Sequence, residues 1–177
     1  MAWVAEQSLV LQGSEGLRLR LWDPRTFSKP VATMEGYVYF PLTCAAAGDY
    51  FLTGSNGFDG EGCELRLWDR RTLKQLSVLQ GHQQAVSGVA FLPAAAGEAA
   101  ASAVSGSKDG ELRLWDLGSG ECGAQHSLMR GGVSALGAAL PDEDAQLYVG
   151  STLGEVHAFR VAGGSGFAKV ATGEARG

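Results

Sequence analysis

The sequence predicts an all-β chain assembled from one repeated unit of about four short strands. Three observations carry this. Trp22, Trp68 and Trp115 stand in near-identical surroundings, 46 and 47 residues apart. Around each of them apolar and polar residues alternate, which is the period of a half-buried strand and not of a helix. Glycine-rich punctuation interrupts the chain repeatedly and leaves no long amphipathic helical stretch.

The repeated segment reads LRLRLWDPRTF at 17–27, ELRLWDRRTL at 64–73 and ELRLWDLGSG at 111–120. In the middle copy Leu65 and Leu67 point to one face and Arg66 and Trp68 to the other. A fourth, worn copy, VGSTLGEVHAFRV at 149–161, aligns without gaps on SGSKDGELRLWDL at 105–117. Apolar runs at Tyr50–Thr53, Ala101–Ser105 and Gln146–Val149 predict the strand before each copy. Leu42–Ala47, Val86–Leu92 and Val133–Leu140 predict the one before that, and Gln75–Leu79 the one after. The repeats therefore end near Asp23, Asp69, Asp116 and Arg160, within a single segment spanning 1–177. The alanine-rich stretch 94–103 reads as a loop running into a strand, because Pro93 and Gly97 oppose a helix. Counted from the amino terminus, the chain begins inside a repeat, at the strand before Trp22, and closes with a lone strand, Phe167–Thr172.

Composition narrows the chemistry. The net charge of −5, with 14 basic residues scattered along the chain, argues against nucleic acid as a partner. Cys44, Cys63 and Cys122 form no CxxC pair, and His82, His126 and His157 lack ligand spacing, so neither a disulfide framework nor a metal site is expected. No uncharged run is long and unbroken enough to cross a bilayer. MAWVAEQ lacks a basic start and meets Glu6 too early for a signal peptide. The expectation is a soluble, intracellular chain, cytoplasmic or nuclear, without a membrane partner or a cofactor.

LQGHQQAVSGVAF, residues 79–91, completes a larger pattern. A Gly-His pair, about 33 residues, then Trp-Asp resembles the WD-repeat family of β-propellers, whose blades are four-stranded sheets. The resemblance covers nearly the whole chain and is strongest over 81–116. Tyr37 stands where His82 does in that copy, and Phe159-Arg160 replaces Trp-Asp in the last. The resemblance implies a WD-repeat β-propeller with about four blades present, a part of a larger ring that the family most often builds from seven. Closure as a small propeller and completion by a second chain remain the alternatives. It also implies a non-enzymatic scaffold for protein partners.

Ser105, Asp109 and His82 could suggest a hydrolase. By the resemblance they form, with Trp115, a buried hydrogen-bonded chain that is structural. The worn copy supports that reading, since Val149, Leu153 and Phe159 take the places of Ser105, Asp109 and Trp115. Removing one member of a buried network strands its partners, whereas replacing all of them with hydrophobes is nearly neutral. No catalytic residue is expected. The inserted GSNGFDGEG at 54–62 lacks the Lys-Ser/Thr of a phosphate loop and the spaced acids of a calcium loop, so it reads as a lengthened turn. Asp59 within it is expected to substitute for the missing turn aspartate.

Two sets of residues are candidates for partner binding. GYVYF at 36–40 occupies the place of the Gly-His loop, on the face where partners of the family dock. Tyr37, Tyr39 and Phe40 would supply aromatic anchors there, unless they pack between blades, with Gln84 and Lys108 beside them in the next repeat. At the opposite end, Trp-Asp-x-Arg recurs as Trp22-Asp23-Pro24-Arg25 and Trp68-Asp69-Arg70-Arg71. Arg25 and Arg71 so placed resemble the signature of substrate receptors that dock on the adaptor of a cullin-RING ubiquitin ligase. The competing reading pairs each arginine with its own Asp23 or Asp69.

Overall fold

The computed structural model describes residues 1–5, 8–92, 101–139, 145–161 and 166–174. These residues form four sheets of four antiparallel strands each. Sheet I holds β1 (Ala2–Val4), β2 (Leu9–Ser14), β3 (Arg18–Trp22) and β4 (Ala32–Met34). Sheet II holds β5 (Pro41–Ala47), β6 (Tyr50–Ser55), β7 (Leu65–Asp69) and β8 (Gln75–Leu79). Sheet III holds β9 (Val86–Phe91), β10 (Ser102–Ser107), β11 (Glu111–Asp116) and β12 (Cys122–Ser127). Sheet IV holds β13 (Val133–Ala139), β14 (Ala145–Ser151), β15 (Glu155–Val161) and β16 (Phe167–Glu174). Strand order follows chain order in every sheet, and the first strands of successive sheets lie side by side, β5 against β9 and β9 against β13. This is the blade arrangement of a propeller.

Two expectations at the chain ends need correction. The first sheet does not begin at the strand before Trp22. Ala2–Val4 precedes it and pairs with β2 from Ala2↔Leu11 to Val4↔Leu9. Three residues are too few to show a period, which is why the strand is hard to see in the sequence. Phe167–Thr172 is not alone either, because β16 continues sheet IV along β15, from Val161↔Phe167 through His157↔Thr172. The loop proper of the alanine-rich stretch lies outside the described residues, and the strand that follows it starts at Ser102.

Period-two alternation gives each sheet two apolar faces, and each successive pair of sheets encloses one core. Leu11, Leu19 and Leu21 of sheet I pack with Phe51 and Trp68 of sheet II. Leu52, Leu65 and Leu67 of sheet II pack with Ala103 and Trp115 of sheet III. Val104, Leu112 and Leu114 of sheet III pack with Leu147, Val149 and Phe159 of sheet IV. Each such side chain, taken fully out of water, stabilises the fold by about 1.5–3 kcal/mol.

Sheet spacing depends on a glycine at one register position. Gly13, Gly54, Gly106 and Gly150 all pair with the first apolar residue of the third strand, Leu19, Leu65, Leu112 and Val156 respectively. A Cβ on Gly54 would lie 2.5 Å from Val86 Cγ1, and one on Gly106 would lie 2.6 Å from Val133 Cγ1. The missing side chain is therefore what lets the next sheet approach.

Gly106→Ala should destabilise the protein by about 1–3 kcal/mol through overpacking against Val133. Gly137→Ala, where a Cβ meets nothing within 4 Å, should be close to neutral. Urea midpoints of the two variants and wild type measure the difference.

Candidate functional site

Turn chemistry places the polar residues of sheet III. The β10–β11 turn is Ser107-Lys108-Asp109-Gly110, with the Gly110 N–H donating to the Ser107 carbonyl at 3.0 Å. Gly110 sits at φ +84, in the left-handed region that glycine enters without a side-chain clash. A Cβ there would also stand 2.7 Å from the Gly131 carbonyl oxygen. The turn aims Asp109 back at the loop before β9, where its Oδ2 accepts from the Gln83 N–H at 2.8 Å and lies 3.2 Å from His82 Nδ1. Its Oδ1 accepts from the Glu111 N–H at 2.8 Å.

His82 Nε2 stands 2.8 Å from Ser105 Oγ, and the Trp115 indole N–H donates to the same Oγ at 2.8 Å. The donor inventory orders the chain. A carboxylate only accepts, so Nδ1 carries the imidazole proton facing Asp109, and Nε2 is left to accept from the Ser105 hydroxyl. That hydroxyl receives the indole proton in return. Every polar atom of the four side chains is engaged, in a consistent direction.

Burial pushes the Asp109 carboxyl up, but the hydrogen bonds from His82, Gln83 and Glu111 outweigh it and hold the group well below the usual carboxylate range. Ser105 is 0% exposed and beyond the reach of a substrate. The arrangement can transmit rigidity between the loop, the turn and the strand, but it presents no nucleophile. Among the described residues no group of three or more His, Cys, Asp or Glu could hold a metal ion.

The other sheets fill the same register position differently. Gln12, Thr53, Ser105 and Val149 each sit one residue before the register glycine. In sheet I the Trp22 N–H donates to Gln12 Oε1 at 2.7 Å. In sheet II the buried Tyr37 hydroxyl stands 2.9 Å from Thr53 Oγ1, while the Trp68 N–H has no hydrogen-bond partner. In sheet IV Val149 and Phe159 are fully buried and apolar, whereas Leu153, at the place of Asp109, is exposed on its turn.

Tyr37 is therefore packed between the sheets, in the core shared by sheets I and II. Its ring lies 5.7 Å from Trp68 and under the Arg66 guanidinium at 4.7 Å. Burial pushes its hydroxyl up to about 12. Asp59 does not substitute for the turn aspartate beside Tyr37, since its Oδ1 instead accepts from Gln84 Nε2 at 3.1 Å.

The remaining candidates divide between two ends of the sheets. At the end bearing the β6–β7 and β10–β11 turns, Tyr39 is half-buried and meets Phe58 edge-on at 6.0 Å. Phe40 is half-buried, and its carbonyl accepts from the Asn56 N–H at 3.0 Å. Phe58 bridges to Gln84, and the Gly60 N–H donates to the Gln83 carbonyl at 2.9 Å, so the 54–62 insert is fastened to the next sheet. Lys108 is exposed on the following turn, its N–H donating to the Ala85 carbonyl at 2.9 Å. Val38 is 75% exposed and Phe58 58%; sequence reasoning missed both. A lone phenylalanine in a glycine-rich insert carries no signal of the neighbour it will meet.

At the opposite end Arg25 is exposed and forks onto its own Asp23, Nε to Oδ1 at 2.9 Å and Nη2 to Oδ2 at 2.7 Å. That hydrogen bonding holds the Asp23 carboxyl down at about 2. Arg71 does not pair with Asp69. It forks onto Asp49 of the β5–β6 turn at 3.1 Å, while Asp69 accepts from the Thr72 N–H and hydroxyl at 2.6 and 2.8 Å.

Residues 73–116 match the family model of the WD domain, G-beta repeat. The fold is that of a WD-repeat β-propeller. A solved chain from the crystal structure of the mitotic checkpoint complex superposes on 99% of this chain with a TM-score of 0.79 and 18% sequence identity. The match takes in 51% of that chain, so the present chain spans about half its length.

Asp109→Ala should cost about 1–3 kcal/mol at neutral pH by leaving His82 and two backbone N–H groups unpaired. The sign with pH follows from a carboxyl whose folded-state value is depressed. Its contribution is complete above the unfolded value of about 3.9 and is lost as pH falls from there toward the lower folded value. Urea titrations at pH 7 and pH 3 should show the gap between wild type and variant narrowing in acid.

Proposed function

We propose that this WD-repeat chain is a non-enzymatic scaffold for protein partners, docking them on the Tyr39–Phe58 patch. Support comes from one observation above the others: Tyr39 and Phe58 meet edge-on and stay partly exposed, beside the exposed Val38 in sequence, on loops tied down by backbone hydrogen bonds. Rigid aromatic anchors lose little conformational entropy on binding, which is the character of interface hot spots. Gln84, anchored by Asp59, and Lys108 provide a polar rim beside them. The inaccessibility of Ser105 supports the non-enzymatic half of the reading.

Docking to a ubiquitin-ligase adaptor through Arg25 and Arg71 is the second reading. Their exposure at the same position of successive sheets favours it, and their existing carboxylate partners weigh against it. Exposed pairs of this kind contribute about 0–1 kcal/mol, so a partner's acid can displace them cheaply.

Affinity capture with the full chain separates these readings. Phe58→Ala should lose the partners recovered by wild type while keeping the thermal midpoint, since that ring is mostly in solvent. Retention of every partner would refute the patch. For the second reading, Arg25→Ala with Arg71→Ala should abolish adaptor recovery; equal recovery by wild type and double variant, or none by either, rejects it.

A further inference from the structure

Among the described residues two sheet faces lack a neighbouring sheet. In sheet I, Trp3, Val10 and Trp22 stand in register across β1, β2 and β3 on the side away from sheet II. Trp3 is 55% exposed, and Val10 and Trp22 help line a cavity of about 360 Å³ with Met1, Gln12 and Phe27. The residues at the place of Trp22 in the other sheets, Trp68, Trp115 and Phe159, are buried against the sheet that precedes theirs.

Sheet IV is open on the opposite side. Tyr148 pairs with Ala158 there, as Leu52 pairs with Leu67 in sheet II. Tyr148 is 45% and Val156 51% exposed, at positions whose equivalents Leu52 and Leu65 cover Trp115. At Gly150 the nearest atoms to a Cβ belong to its own sheet, Ser134 Oγ at 3.2 Å and Ala135 Cβ at 3.7 Å. The notch that receives Val86 at Gly54 and Val133 at Gly106 has no occupant from another sheet.

We propose that two copies of this chain form one closed ring, with sheet IV of each packed on sheet I of the other. The tryptophan-bearing face and the face that covers it are both present and both open, at the two ends of one chain. The same kind of contact is made three times within the chain, so the fourth repeats an existing solution. Two copies give eight blades, inside the usual range of roughly four to eight. This chain matches about half of a solved chain of the same fold. A head-to-tail contact made twice closes without leaving a free face. Four strands spaced about 4.8 Å and about 17 Å long present roughly 320 Å² per face, and the four faces of a dimer bury about 1,300 Å², within the range of specific interfaces. The inference is independent of the Tyr39–Phe58 patch, which lies at the end of the sheets and not on their faces.

Sedimentation equilibrium of the full chain should give twice the chain mass of 18.5 kDa. Trp3→Asp and Tyr148→Asp each place a carboxylate on one of the two faces, and each should raise the dissociation constant on the order of 100-fold. Both side chains are partly in solvent, and circular dichroism checks that the variants fold; Val10→Asp and Val156→Asp replace either one that does not. A monomeric wild type, open polymers that lengthen with concentration, association only with a different protein, or a variant that stays fully dimeric would each overturn the ring.

Discussion

The contact between a tryptophan-bearing face and the leucine face of the preceding sheet is what the remaining structure depends on. A four-stranded sheet with two apolar faces packs them on other sheets, since no helix among the described residues covers either. Trp68 and Trp115 each bury a large ring in this contact, and Phe159 does so in the fourth sheet. The indole N–H then needs an acceptor, and it finds one a strand away in two sheets: Gln12 for Trp22 and Ser105 for Trp115. Sheet II leaves the Trp68 N–H unmet and satisfies Tyr37 instead, while sheet IV drops the polar group altogether.

That gradation is the pattern of a structural brace in Ser105, His82 and Asp109, despite a composition that suggests a triad. Catalysis needs a nucleophile in contact with substrate and donors aimed at developing charge. Here each polar atom is consumed by a neighbour, and the ring and hydroxyl face the interior. The same side-chain types act as braces, joining a loop before one strand to a turn two strands later.

Much of the architecture was legible from the sequence, for physical reasons. Leu-Arg-Leu-Trp-Asp advertises a strand because alternation is dictated by the pleat, and its recurrence advertises the stack. Single-residue contacts were legible where the partner lies in the same repeat, as for His82, Ser105 and Trp115. They were not where the partner depends on how separate turns converge. Arg71 meets Asp49 and not its own Asp69, because the β5–β6 turn folds beside the β7–β8 turn. Tyr39 meets Phe58 only because the insert is fastened to the next sheet. The brief β1 escaped notice because it is shorter than two full periods.

The register glycines have an effect on how such a chain can change. Between sheets II and III and between III and IV, separation is limited by a valine resting against bare main chain at Gly54 and Gly106. Main-chain thickness does not vary with amino-acid identity, so these positions act as fixed stops. The curvature of the stack is thereby uncoupled from the chemistry of its layers. A repeat can exchange a hydroxyl and an indole for valine and phenylalanine, as the last one has at Val149 and Phe159, while its sheet keeps the same seat against its neighbour.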